Sequence, residues 1–121
     1  MIRKVYMLPK PSEAINDTSN AINQIVMRLE SILPMYGWQI TENLEDADIT
    51  AIHAGQTTSD IVCDVAHVHG LYPTGIFPNT KWHWKANENV IRTVKEAKIV
   101  TVPSDWVAEL FRRDMNIEPE I

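Results

Sequence analysis

Short apolar segments rich in β-branched residues alternate with amphipathic helical segments along this chain of 121 residues. In such an alternation, helices joined to the strands by short loops return the chain across a parallel sheet and cover it. The segments with strand character are residues 2–8, 38–41, 49–53, 64–69 and 99–102. The pattern therefore predicts an α/β, Rossmann-like open parallel sheet with helices on both faces.

The helical segments are recognised by apolar residues that recur every three to four positions. The clearest series is Ile22, Ile25, Val26, Leu29, Ile32 and Leu33. It predicts a helix that follows a polar loop over residues 12–17 and ends at Gly37. Asp17 or Thr18 is the predicted N-cap of this helix. A single helical turn is expected over residues 44–48. Further helices are expected over residues 84–97 and, after an N-cap at Ser104, up to Met115.

Composition and charge narrow the function classes. The length fits one domain, and the net charge of −5 gives no general attraction to phosphate backbones or anionic membranes. Cys63 is the only cysteine, so an intrachain disulfide is excluded. The sequence shows no signal peptide and no apolar window of the roughly 18 residues that a membrane span needs. A cytoplasmic protein is expected.

Two predicted strands each end at a histidine. His53 closes one strand, and His69 closes the next, immediately before Gly70. The carboxyl ends of parallel strands lie at one edge of a sheet, where open α/β folds bind their ligands. Ser104 follows the last predicted strand at the same edge, at a helix N-terminus. The side chain of His67 points to the same face of the strand as that of His69. It is expected to lie deeper and to be hydrogen-bonded in the core.

Three segments around this edge resemble family 4 glycosyltransferases, and compact phage and bacterial members most of all. The similarity covers most of residues 47–116. It rests on Ala51-Ile52-His53-Ala54-Gly55, on Asp64-Val65-Ala66-His67-Val68-His69-Gly70-Leu71-Tyr72-Pro73-Thr74, and on Trp84-Lys85-Ala86-Asn87-Glu88-Asn89-Val90-Ile91. Val100-Thr101-Val102-Pro103-Ser104-Asp105-Trp106-Val107-Ala108-Glu109 and Phe111-Arg112-Arg113-Asp114-Met115 extend it.

The resemblance implies the amino-terminal, acceptor-side half of a GT-B fold, in which two Rossmann-like domains face each other across a cleft. Such enzymes transfer a sugar from a nucleotide-sugar to a hydroxyl acceptor with retention of configuration, usually without a metal, and no cofactor is predicted. His69 would be the catalytic residue. The predicted substrate-binding residues are His53, Gly55, Gly70, Tyr72, Thr74, Trp84 and Ser104.

Two departures from the family pattern affect the expected activity. Residues 12–20 contain none of the glycines that usually let backbone amides approach the donor diphosphate. The carboxyl-terminal donor-binding domain is absent from these 121 residues, so we expect a truncated domain that is inactive alone. Its partners would be a nucleotide-sugar held by that missing domain and a sugar or other hydroxyl acceptor. Nucleic acid is expected only if modified DNA is the acceptor.

Two alternatives remain open at this point. In the first, the chain is a stand-alone Rossmann-like binding or interaction module without catalysis. Separately, if the missing half of the enzyme leaves a bare apolar face, the fragment could self-associate to cover it, with Trp106 and Phe111 as the candidate residues. A zinc site on Cys63, His67 and His69 is the other reading, because alternate residues of a strand share a face. A fourth zinc ligand is not evident in the sequence, and no metal site is predicted.

Overall fold

A computed structural model describes residues 2–53, 61–69 and 81–121. For residues 81–84, 114 and 115 it describes the backbone only. The fold is α/β, with helices flanking a five-stranded, all-parallel sheet in the order β2-β1-β3-β4-β5. The strands are β1 (Arg3–Leu8), β2 (Trp38–Thr41), β3 (Ile49–His53), β4 (Val65–His67) and β5 (Ile99–Thr101). The predicted Rossmann-like parallel sheet is therefore confirmed.

The helices among the described residues are α1 (Pro11–Ala14), α2 (Ala21–Ile32), α3 (Lys81–Glu96) and α4 (Asp105–Met115). Short 3-10 turns cover Leu33–Tyr36 and Leu44–Asp46. Within the described residues, no helix combines the length and the apolar character that crossing a bilayer requires.

The chain divides into two compact units, Met1–Ile52 and His53–Ile121. In the first unit β1 lies between β2 and β3, with Val5 opposite Ile40 on one side and Ile49 on the other. Val5, Tyr6 and Met7 are buried in succession, which is typical of a parallel strand covered on both faces. Its core residues are Val5, Tyr6, Met7, Ala14, Val26, Ala51 and Ile52.

Two local predictions in the first unit were wrong. The short helix Pro11–Ala14 overlaps residues 12–17, which were predicted as a polar loop. Pro11 occupies a first-turn position, where its missing N–H costs no helical hydrogen bond. The N-cap of α2 is Asn20, whose side-chain oxygen accepts from the backbone N–H groups of Ile22 and Asn23. The carboxylate of Asp17 instead accepts hydrogen bonds from Ser19.

In the second unit β4 and β5 pair in parallel, with Ala66 opposite Val100. The strand β4 ends at His67, earlier than predicted, although the N–H of Val68 still donates to the carbonyl of Thr101 at 2.8 Å. Helix α3 begins before the predicted residue 84. The core of this unit includes Cys63, Ala66, Val90, Val94, Val100, Val107, Ala108 and Phe111.

The last residues of the chain pair with β5. Glu120 forms an isolated parallel bridge with Thr101. Its N–H donates to the carbonyl of Val100 at 2.7 Å, and its carbonyl accepts from Val102 at 2.8 Å. This segment therefore adds one bridge at the outer edge of β5.

Candidate functional site

Two histidine side chains meet just beyond the carboxyl ends of β3 and β4. His53 is the last residue of β3, and His69 follows the end of β4 by two residues. Nδ1 of His53 lies 2.9 Å from Nε2 of His69, within the range of a hydrogen bond. The ring centroids are 5.2 Å apart, and the ring planes differ by 17°. The two histidines are therefore a hydrogen-bonded pair.

A third histidine supports this pair. The ring of His67 lies 4.9 Å from that of His53, with 27° between their planes. Nδ1 of His67 is 2.7 Å from Oγ1 of Thr101, the residue opposite it in β5. His67 is half-buried whereas His69 is exposed, so His67 has the deeper, hydrogen-bonded position that was predicted for it.

The two paired histidines differ in their exposure to solvent. His69 is exposed to solvent, as a residue that contacts a substrate must be. His53 is only 1% exposed, so its ring is enclosed by the protein. Direct substrate contact by His53 stays a prediction, but the geometry favours an effect exerted through His69.

The environment of the three rings disfavours protonation. Burial, reinforced by the neighbouring His67 and His69, lowers the pKa of His53 to about 3. Burial also lowers the pKa of His67, and the neighbouring His69 lowers it further. Partial burial lowers the pKa of His69 as well. The site therefore presents neutral imidazoles at pH 7, which both donate and accept hydrogen bonds.

One nitrogen of this group has no hydrogen-bond partner. Nε2 of His53 is buried, and no atom of the structure, which is described for residues 2–53, 61–69 and 81–121, is placed to bond with it. An unpaired buried polar atom costs about 1–3 kcal/mol of stability, so its presence at this position calls for a physical reason.

The other predicted site residues lie at different places. Gly55, Gly70, Tyr72 and Thr74 lie outside the described residues. Trp84 belongs to α3, and its side chain is likewise outside the description. Ser104 follows β5, so it stands after the carboxyl end of the strand that pairs in parallel with β4.

Ser104 caps helix α4, as predicted. Its backbone is extended, and Oγ accepts from the backbone N–H of Val107 at 3.3 Å. Asp105 in the first turn and Arg112 and Arg113 in the last turn complement the helix dipole. The hydroxyl oxygen therefore has a structural partner in this helix, and its contact with substrate stays a prediction.

We expect Ser104→Ala to lower the free energy of unfolding by about 1 kcal/mol, because the N–H of Val107 loses its acceptor. Ser104→Asp restores a capping oxygen and should stay close to the wild type. Urea unfolding followed by circular dichroism measures both variants. Equal stability of the Ala and Asp variants would show that the cap does not stabilise the helix.

The residues of the zinc alternative have other partners. The thiol of Cys63 donates to the carbonyl of Val65 at 3.0 Å, and Nδ1 of His67 is paired with Thr101. Across residues 2–53, 61–69 and 81–121, no group of three or more His, Cys, Asp or Glu side chains is placed to hold a metal ion.

The two residues proposed for self-association differ in exposure. Trp106 is 65% exposed and can contact a partner. Phe111 is 0% exposed because it packs in the core of the second unit. The assignment of Phe111 to an association surface was therefore wrong: its place on the apolar stripe of α4 reflects core packing.

Sequence reasoning missed the contacts that join the histidines. Thr101 was treated only as part of a strand, yet its hydroxyl is the partner of His67. The pairing of His53 with His69 spans 16 residues and depends on β3 and β4 being neighbours. The only signal for it in the sequence was a histidine at the end of each of two successive strands.

Comparisons with protein-family models, with curated proteins and with solved structures find no match for this chain.

Proposed function

We propose that this chain is the acceptor-side Rossmann-like domain of a retaining GT-B glycosyltransferase, which transfers a sugar from a nucleotide-sugar to a hydroxyl acceptor. One observation supports this most directly. His69 is an exposed imidazole just beyond the end of a parallel strand, and a second histidine holds it. The edge it occupies is where open α/β sheets bind their ligands.

The protonation state of His69 suits a hydroxyl ligand. Although His69 is exposed, the protein encloses part of its ring, and this partial burial lowers its pKa, so the ring is neutral at pH 7. A neutral imidazole nitrogen can accept a hydrogen bond from a sugar or acceptor hydroxyl, or donate one to its oxygen. In the proposed enzyme His69 orients the reacting hydroxyl group and the transferred sugar relative to each other.

The first loop supports a donor site outside these residues. The N–H groups of Glu13 and Ala14 both donate to the carbonyl of Lys10, and the N–H of Ile15 donates to that of Pro11. These amides are already paired within the segment, so they are not available to a diphosphate. We therefore propose that a second Rossmann-like domain binds the nucleotide-sugar, and that transfer requires both domains because they bring donor and acceptor together.

The experiment begins with the reading frame beyond codon 121. The complete product is incubated with a panel of nucleotide-sugars and hydroxyl acceptors, and sugar transfer is followed by mass spectrometry. His69→Ala should lower kcat/KM for transfer by about 100-fold, because loss of the orienting ring misplaces the reacting groups. Lys85→Ala, on the exposed face of α3, is the control and should retain activity.

Two results would contradict the proposal. One is an active transferase in which His69→Ala has wild-type kcat/KM. The other is a reading frame without a second Rossmann-like half whose product binds ligands but transfers no sugar, which would favour the binding module without catalysis.

A further inference from the structure

We propose that His53 is a positioning residue that holds Nε2 of His69, so that His69 meets its ligand through Nδ1. The orientation of the ring is a property of this chain alone. Its effect on sugar transfer rests on the function proposed above.

The geometry of the pair is that of an in-plane hydrogen bond. Parallel rings stacked face to face keep their atoms about 3.5 Å or more apart. The 2.9 Å between Nδ1 of His53 and Nε2 of His69, with 17° between the ring planes, therefore means that the rings meet at their edges. The N–H and the lone pair of imidazole lie in the ring plane, so this contact uses them directly.

His53 is itself firmly placed. It ends β3, is 1% exposed, and has the ring of His67 at 4.9 Å. His67 is fixed in turn by the hydroxyl of Thr101 at 2.7 Å. A ring enclosed in this way keeps one orientation, so it can impose an orientation on its hydrogen-bond partner.

His69 depends on that partner. It lies beyond the end of β4 and is exposed. Within the described part of the chain, its ring has one hydrogen bond, and that bond is to His53. Nε2 is occupied by this contact, which leaves Nδ1 as the nitrogen open to a ligand.

Core packing alone does not explain a histidine at position 53. An apolar ring of the same size would fill the space without leaving a buried nitrogen that has no partner among the described residues. The stability lost at Nε2 of His53 is explained if Nδ1 of the same ring positions another group. The atom that Nδ1 contacts is Nε2 of His69. The bond also survives protonation of His69, because an imidazolium donates from both nitrogens and Nδ1 of a neutral His53 can accept.

Two substitutions at position 53 separate the hydrogen bond from the packing. His53→Phe keeps an aromatic ring against His67 but removes the nitrogen that faces His69. His53→Asn loses the ring but places an amide group close to the position of Nδ1. If His53 positions His69, the Asn variant behaves like the wild type and the Phe variant does not.

The first readout is independent of activity. Long-range ¹H–¹⁵N correlation spectra of the full chain at neutral pH report the tautomer of each histidine ring. We expect one dominant tautomer for His69 in the wild type and in His53→Asn. In His53→Phe the two nitrogen shifts of His69 should move towards the averaged values of a free imidazole, while the signals of His67 stay in place. Unchanged His69 shifts in a folded His53→Phe variant would overturn the proposal.

A second measurement needs no variant. Iodoacetate alkylates accessible neutral imidazoles, and peptide mass spectrometry with standards distinguishes the two ring positions. Because His53 occupies Nε2, any carboxymethylation of wild-type His69 should fall on Nδ1 and not on Nε2. Predominant modification at Nε2 would overturn the proposal even if the variants fail to fold.

Measurements of sugar transfer test the positioning role of His53 separately from the proposed function. In the complete transferase, His53→Phe should lower kcat by about tenfold to 100-fold with little change in KM, by analogy with the loss seen when the hydrogen-bond partner of a metal-binding histidine is removed. His53→Asn should recover most of the loss. A complete product without transfer contradicts the proposed function and leaves the spectroscopic result standing, whereas full activity of His53→Phe overturns the positioning role.

Discussion

Replacing Phe111 by alanine is expected to lower the free energy of unfolding by about 3–5 kcal/mol. Phe111 is 0% exposed, and it lies in α4 among the core residues of the second unit. Its removal forfeits the transfer free energy of an aromatic ring and leaves a cavity that rigid neighbours fill only in part. Such a loss is a large share of the roughly 5–15 kcal/mol that stabilises a domain.

Trp106→Ala is the matched control for this experiment. It removes a larger aromatic side chain from the same helix, but one that is 65% exposed. Its cost should stay within about 0.5 kcal/mol, as for surface substitutions. Urea unfolding followed by circular dichroism at 222 nm gives both values without relying on tryptophan fluorescence. Equal costs for the two variants would show that α4 does not bury Phe111 as described.

Acidification from pH 7 to pH 4 is expected to cost about 3 kcal/mol of stability through His53 alone. Its pKa is about 3 in the folded protein against 6.5 for the free side chain, so the unfolded state binds the proton more tightly. The penalty is absent above pH 6.5 and grows as the pH falls from 6.5 towards 3. His67 and His69, which face His53, also have lowered pKa values and act in the same direction.

The share of His53 is isolated by comparison with His53→Phe, which keeps a ring but cannot titrate. Urea unfolding of both proteins at pH 7, 5.5 and 4 gives the pH dependence of stability. Carboxylates titrate in both proteins and cancel in the difference. The variant should lose about 3 kcal/mol less than the wild type between pH 7 and pH 4. Parallel curves would show that His53 is not buried as a neutral ring.

The architecture was readable from the sequence because its local signals agree with each other. The bounds of β2 and β3 were predicted correctly, since Gly37, at φ 82°, marks the turn before β2 and short polar segments flank β3. The start of α1 was missed because Pro11 was interpreted only as the end of a strand, although proline is also favoured in the first turn of a helix.

The candidate site was less predictable than the fold. The sequence pattern placed His69 as the last residue of a strand, whereas it lies two residues beyond β4; the deeper position predicted for His67 is confirmed. The hydrogen bond between His53 and His69 depends on the order of strands in the sheet and on two side-chain rotamers. Periodicity carries no information about either. The same is true of Thr101, whose partner His67 is 34 residues away.

The bridge at Glu120 has a consequence for how copies of this chain meet in solution. β5 is an end strand of the sheet, and the backbone groups of Val100 and Val102 on its outer side are already bonded to Glu120. A strand from another molecule would have to displace this segment before it could add to that margin. Exposed strand edges are the usual starting points of intermolecular strand addition, and the pairing with Glu120 leaves fewer backbone groups of β5 open to it.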